Sequence, residues 1–307
     1  MQRKPQQENT EAGSHSANHE KQNEYAIVTQ REEKHIRAYA LLKRLSAVTI
    51  SGENLTLLKQ KLLRLKLSGM LDALEERLHQ ALNNKWSPTH LLHVLFQDEI
   101  ERRENKQLGL RLSRSDFDPQ KKLETFDFAF NPEIHESTIR GLAGCDFIAK
   151  KSCVFLLGPN GVGKSHLAQG IGHEACRRNI NVMFRRTYTL FTWIHSGHGD
   201  GTHARRLAQV VKIPLLILDD CGLKSLNEEM QSDLYEVICE RYERRSTIIT
   251  SNRDFSEWPG IFNNPLMGSA AMDRLVHRAI KIVIEGKSYR MDTFARNSKD
   301  LTPEPSK

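Results

Sequence analysis

Gly158-Pro159-Asn160-Gly161-Val162-Gly163-Lys164-Ser165 is the stretch whose reading decides the fold of this chain. It sets Gly, four residues, Gly, Lys and Ser at the spacing of a phosphate-binding loop. Three glycines let the backbone curl so that successive N–H groups converge on one concave site for phosphate oxygens. Lys164 supplies a positive charge for the β- and γ-phosphates, and the Ser165 hydroxyl is placed to bind magnesium. The flanks have the order such a loop requires. Val154-Phe155-Leu156-Leu157 reads as a short buried strand, and 166–178 reads as a helix whose N-terminus adds its own attraction for anions. Gly158 to His166 is therefore the expected binding segment for a nucleoside triphosphate, with Pro159, Asn160 and Val162 as its non-glycine positions.

From Gly144 onward strand and helix patterns alternate. The expected strands are 153–157, 181–185, 215–219, 247–251 and 280–284, which predicts an α/β domain with a parallel sheet covered on both faces. Its ligand site belongs at the carboxyl ends of the strands. There, the apolar run Leu215-Leu216-Ile217-Leu218 ends in Asp219-Asp220. Asp219 is the expected magnesium partner beside Ser165, and Asp220 points toward the γ-phosphate, where it can polarise an attacking water. Asn252 ends the next strand. It either hydrogen-bonds a γ-phosphate oxygen or simply turns the chain into Arg253-Asp254.

The N-terminal part is different. Residues 1–24 hold almost no aliphatic side chain and cannot order themselves. A helical pattern at 31–48 is broken at Ser51-Gly52, so 1–54 is expected to be a disordered or loosely helical extension. From Leu55 to Ser115 the pattern is helical, with Leu58, Leu62 and Leu65 on one stripe and a resumption after Gly69. Ser87-Pro88 marks a helix start, and Asp98 with Arg102 and Glu99 with Arg103 make i,i+4 pairs on its wet face. This small all-helical domain, 55–115, holds no candidate for chemistry and suits a partner, or its stripes form its own core. A connecting segment follows at 116–143, in which Phe126, Phe128 and Phe130 alternate as an extended piece would.

With 38% hydrophobic and 27% charged residues the composition is that of an ordinary soluble protein, and no apolar run is long enough for a membrane span. A cytoplasmic location without membrane association is expected. Cys145, Cys153, Cys176, Cys221 and Cys239 form no Cys-x-x-Cys pair and read as free, mostly buried thiols. His195, His198 and His203 lie among Gly197, Gly199 and Gly201 and read as a polar loop rather than a metal site. The net charge of +7 is uneven, because residues 150–212 hold ten lysines and arginines against two acids. One nucleotide does not need so many cations; the surplus fits a polyanion such as DNA, or a solvated basic face.

Together these residues resemble one family. Gly158 to Ser165, Asp219-Asp220, Thr250-Ser251-Asn252, Asp273-Arg274-Leu275 and Gly286-Lys287-Ser288-Tyr289-Arg290 are similar to the IstB/DnaC branch of AAA+ ATPases. Leu63-Arg64-Leu65, Gly69-Met70, Ala73-Leu74 and Leu123-Glu124-Thr125-Phe126-Asp127-Phe128 resemble IstB-like transposition helpers in particular. The resemblance implies a P-loop AAA+ domain over 144–296; the polar tail at 297–307 departs from the wider AAA+ pattern, and no helical lid is expected after Tyr289-Arg290. It implies ATP and Mg2+ as ligands and ATP hydrolysis that regulates DNA transposition. Lys164 and Ser165 then hold nucleotide and metal, Asp219 is the second magnesium contact, and Asn252 senses the γ-phosphate. Arg274 becomes an arginine finger acting in trans on a neighbouring subunit, and Arg290 a further phosphate-side cation. Asp220 stands where glutamate is usual, which implies slow turnover. The implied partners are duplex DNA, held by Arg185, Arg186, Arg205 and Arg206 near a helix after the second strand, and the transposase of the same insertion sequence. Tyr188 and Trp193 in that helix are expected in the core. A helicase loader of the DnaC type shares the ATPase residues. A DNA-binding module using ATP only as an assembly ligand is the remaining alternative.

Overall fold

The computed structural model describes residues 52–299. The expected extension 1–54, apart from its end, and the tail beyond Lys299 lie outside the described residues. The described chain separates into two compact units, divided between Lys106 and Gln107.

The first unit holds helix α1 (Gly52–Arg64), α2 (Ser68–Asn83) and the opening of α3 (Pro88–Ser115). As expected, α3 starts at Pro88, with Ser87 Oγ accepting from the His90 amide at 3.2 Å. The core consists of Leu62, Met70, Leu74 and Leu95. Of the predicted stripe only Leu62 is buried, while Leu58 and Leu65 are exposed. The chain turns at Lys66, which has a φ of 57°, and not at Gly69.

Gly69 lies in the first turn of α2 because Glu99 sits against it. Glu99 Oε2 accepts hydrogen bonds from the Gly69 and Met70 amides at 2.6 and 3.3 Å, so a carboxylate of α3 caps α2. Arg103 Nε donates to the other oxygen at 2.6 Å. Of the two predicted i,i+4 pairs, Glu99 with Arg103 is present but not on a wet face, and Asp98 with Arg102 is replaced by other partners. Glu99 is buried, Asp98 accepts from Arg77 at 2.8 and 2.9 Å, and Arg102 reaches Asp72 at 3.2 Å. A helix surface looks wet in sequence when the chain that covers it is distant.

The second unit is built on five parallel strands, β1 (Val154–Leu157), β2 (Val182–Arg186), β3 (Leu215–Cys221), β4 (Ser246–Ser251) and β5 (Ile280–Val283). Their order in the sheet is β2-β3-β4-β1-β5. Each predicted strand is present within two residues of its expected ends. Alternate residues of the central strands feed two cores. Phe155, Leu157, Leu216, Leu218 and Ile249 face one side, and Val154, Leu156, Leu215, Ile217 and Ile248 face the other. A strand covered on both faces is apolar at every position, which is why these runs are continuous.

Helix α4 (Glu136–Ala143), the short α5 (Asp146–Ala149) and α6 (Lys164–Arg177) belong to the second of these cores. The first core is covered by α7 (Thr187–Asp200), α8 (His203–Lys212), α9 (Glu228–Arg241) and α10 (Pro265–Val276). Helix α11 (Tyr289–Lys299) ends the described chain. Among the described residues no helix is long and apolar enough to cross a membrane. All five cysteines are free; burial pushes the Cys145 thiol up to about 11 and Cys221 to about 12.

Three expectations are revised. Leu108 and Leu112 of α3 pack on the second core, so the division precedes Ser115. The segment 116–143 is not a linker with an extended piece. Leu123–Thr125 is a 3-10 turn, 128–130 is a tight turn, and Leu123, Ile134, Ile139 and Leu142 are buried in the same core. The predicted histidine loop is helical: His195 and His198 lie in α7 and His203 opens α8.

Burial pushes the Glu99 carboxyl up, but Arg103 and the two amides outweigh it and hold it below its ordinary value. A depressed carboxyl contributes stability that is fully present above about pH 5 and lost as pH falls through the folded value. Glu99→Gln should therefore cost about 1–3 kcal/mol at neutral pH, with wild type and variant converging on acidification. Urea unfolding at pH 7 and at low pH checks both the size and the sign.

Candidate functional site

The phosphate loop lies between β1 and α6 at the carboxyl edge of the sheet. Its three glycines hold φ of 145°, 86° and 102° at 158, 161 and 163, the left-handed backbone from which a nest of N–H groups is made. The surroundings leave no choice of residue. A Cβ on Gly163 would stand 2.6 Å from the Phe126 ring, and one on Gly158 would stand 2.0 Å from the Ile284 carbonyl oxygen. The Gly161 carbonyl accepts from the Tyr289 amide at 3.0 Å, and the Gly158 amide donates to the Ser251 carbonyl at 3.2 Å. The segments that resemble the family, 123–128 and 286–290, are thus the two walls of the loop.

Between them is a cavity of about 260 Å3, lined among others by Asn160, Lys164, Ser165, Asp220 and Arg290, with Phe126, Phe130 and Tyr289 on its rim. Lys164 is buried, and its ammonium donates to the carbonyls of Gly158 and Pro159 at 2.7 Å each. Burial pulls its pKa down, Asp220 and Asp219 pull it up, and the net direction is down. His166, expected to touch nucleotide, lines the cavity but faces the 3-10 turn. Its Nε2 lies 2.8 Å from the Lys122 carbonyl, and its ring meets Phe126 edge-on at 5.1 Å.

Asp219 is buried on β3 beside β4. Its Oδ1 accepts from Thr250 Oγ1 at 2.5 Å, and the same hydroxyl accepts from the Asp220 amide at 3.0 Å. Thr250 belongs to a segment that carries the family resemblance, but the sequence assigns it no role; its place at an inner position of the neighbouring strand end is the signal for one. β3 does not stop at Asp219 but bulges between Leu218 and Cys221, with Asp220 at φ 54°. Bulges of this kind re-aim a side chain, and Asp220 joins the phosphate cavity. Burial first and then Asp219 push the Asp220 carboxyl up, against Arg186, Lys164 and Arg290.

The other predicted residues scatter. Asn252 is exposed at the tip of β4 and does not line the cavity. Arg274 lines a separate cavity of about 470 Å3 with Arg241, Tyr242 and Arg278; its Nη1 donates to the Ala270 carbonyl at 2.7 Å. The four candidate DNA residues do not form one free face. Arg185 bonds Asp116 at 3.1 Å. Arg206 is spent on α7, donating to Trp193 O, Ser196 Oγ and Asp200 Oδ2 at 2.6–2.7 Å. Arg186 and Arg205 are exposed. Tyr188 and Trp193 are also exposed rather than core, since Leu190, Phe191 and Ile194 fill the buried face of α7.

These residues fit a polyphosphate and a divalent ion: a left-handed glycine nest, a buried ammonium held only by carbonyls, a helix N-terminal hydroxyl and an oriented buried carboxylate. Fold and site define a P-loop nucleotide-binding protein. The IstB-like ATP binding proteins match residues 60–297, and the chain belongs to that family. An ATP-binding protein in an insertion sequence of Mycobacterium tuberculosis is 38% identical over 76% of this chain and 93% of its own length. The ATP-binding protein of insertion sequence IS21 from Pseudomonas aeruginosa is 33% identical over 74% and 86%. The solved DnaC helicase loader is 25% identical with a TM-score of 0.43, over 48% of this chain and 86% of its own.

A carboxyl raised on folding destabilises the folded state as pH rises through the interval between its unfolded and folded values. Asp220→Asn removes that burden and keeps a residue tolerant of positive φ. Its melting temperature at pH 7 should exceed that of wild type, on the order of 2 °C. Thermal unfolding without nucleotide checks this; an unchanged or lower melting temperature contradicts the strained, desolvated carboxylate.

Proposed function

We propose that this protein is an ATPase that assembles on duplex DNA in its ATP-bound state and serves the transposase of its insertion sequence. Family membership and the names of its relatives support the ATP and insertion-sequence parts of the reading. The single observation that supports the enzymatic part is the convergence of Lys164, Ser165 and Asp220 on one cavity, with Asp219 close enough to Lys164 to pull its pKa up.

Lys164 leaves its two carbonyl partners for β- and γ-phosphate oxygens. Ser165 and Asp219 would hold magnesium, which would supply positive charge against the phosphates. Thr250 fixes the Asp219 carboxylate so that this position is set beforehand. Asp220 accepts a hydrogen bond from the attacking water, and its short side chain makes turnover slow. Asn252 contacts the γ-phosphate or the water from the tip of β4, and Arg290 adds positive charge from the opposite wall. Arg274 does not line its own chain's phosphate cavity and is delivered to a neighbouring subunit's nucleotide, so hydrolysis requires assembly. Arg186 and Arg205 supply the free DNA contacts. The ATP state then marks assembled protein on target DNA, and hydrolysis releases it.

Lys164→Ala is expected to lose nucleotide binding and ATP-dependent DNA binding together. Arg274→Ala should keep nucleotide binding and lose about 10³-fold in DNA-stimulated phosphate release. Mixing the two variants should restore part of that release, because each supplies what its neighbour lacks; no recovery would place Arg274 outside the neighbouring site. Co-purification with a replicative helicase instead of transposase would turn the reading to a loader.

Arg205→Ala should weaken DNA binding evenly across sequences and lower the slope of log affinity against log salt by about 1. A fluorescence anisotropy titration across salt concentrations measures it.

A further inference from the structure

Away from the phosphate loop, three helices bring imidazoles and carboxylates to one seam. Gly197 makes the approach possible: a Cβ there would stand 2.7 Å from the His203 amide, so α8 begins directly against α7. Gly201, at φ 69°, closes the turn between them. His203 is thereby laid on His198, with ring centroids 3.8 Å apart and planes 23° from parallel. From α9, Asp233 meets the pair, its Oδ1 2.7 Å from His203 Nε2.

Asp233 is 5% exposed, and its second oxygen, Oδ2, is buried with no hydrogen-bond partner. A buried carboxylate oxygen without a partner is costly, and a cation is what such an oxygen seeks. One ligand atom each from His198, His203 and Asp233 lies within 4.8 Å of the others. Ligand atoms around a tetrahedral zinc are about 3.3 Å apart, so a turn of the exposed His198 ring closes the set. Beside it, His195 of α7 stands 3.0 Å from Glu229 Oε2 of α9, continuing the seam.

We propose that His198, His203 and Asp233 form a transition-metal site, of the zinc type, that clamps α7 and α8 to α9. Two imidazoles and one carboxylate without thiolate select zinc, cobalt, nickel or copper over magnesium and calcium. Three protein ligands leave one position for water. The site is independent of the phosphate loop and of the proposed ATPase function. It stiffens the pair of helices that carries Arg205.

The test uses the full chain, stripped with chelator, dialysed and titrated with Zn2+ in the absence of nucleotide. With thirteen histidines in the chain, surface binding is expected as background, so the readout is the difference between variants. Wild type should bind one more zinc per chain than His198→Ala or His203→Ala, with at least about 10-fold tighter affinity. Lys164→Ala should keep that zinc. Zn2+ should raise the melting temperature of wild type and not of His198→Ala. Co2+ in place of Zn2+ should give a visible absorption band lost in the same variants. His198 is exposed, so His198→Ala should keep the wild-type circular dichroism spectrum and nucleotide binding. Equal zinc stoichiometry and equal melting shifts in wild type and His198→Ala overturn the site.

Discussion

The ring of Phe126 fills the space that any side chain at Gly163 would need, and the Ile284 carbonyl does the same at Gly158. On these two contacts the rest of the site depends. They press the loop between a segment that precedes the sheet and one that follows its last strand. The left-handed turns are therefore fixed by packing as well as by glycine's freedom. A loop held this way does not have to be ordered by its ligand, so less binding energy is lost to organisation. The two walls also explain why residues far from the phosphate loop carry the family resemblance. Phe126 and the Ser288-Tyr289 pair are the fitted surfaces of one cradle.

Charge adds a second constraint. Lys164, Asp219 and Asp220 sit in or at the edge of a low-dielectric interior, and each is compensated differently. Lys164 donates hydrogen bonds to loop carbonyls, and Asp219 accepts one from the Thr250 hydroxyl. Asp220 has the least: an unfavourable φ, a bulged strand and a carboxyl pushed up by burial. Sites that must receive charge are commonly left under-compensated. The strain gathers on the residue facing the cavity and not on its neighbour one position earlier, which separates the roles of two adjacent aspartates.

The sheet was legible because burial on both faces leaves an unbroken apolar run, and the phosphate loop because its spacing is a mechanical requirement. What stayed hidden depended on distant partners. Glu99 looked like a surface residue paired along its helix until Gly69 and Met70 were brought to it. Phe126, Phe128 and Phe130 alternate like a strand, yet Phe126 and Phe128 pack on each other beside the loop. Gly197 and Gly199 looked like breakers, but within α7 Gly197 serves close approach, and only Gly201 ends the helix. Composition counted Arg206 toward a basic surface, whereas its guanidinium is bound to α7.

One chain of contacts joins the parts that sequence showed as separate. β2 ends at Arg186, paired in register with Asp219, and Arg186 stands near enough to Asp220 to pull its carboxyl down. Thr187, the first residue of α7, donates its hydroxyl to the Asp219 carbonyl at 3.0 Å. α7 is then tied to α8 by Arg206 and to α9 along the histidine seam. The helix pair bearing the exposed Arg205 is thus anchored at its root to the strand end that holds both acids. Because Arg186 is exposed and beside Asp220, an anion that drew its guanidinium outward would remove the positive charge that opposes the upward push on the Asp220 carboxyl.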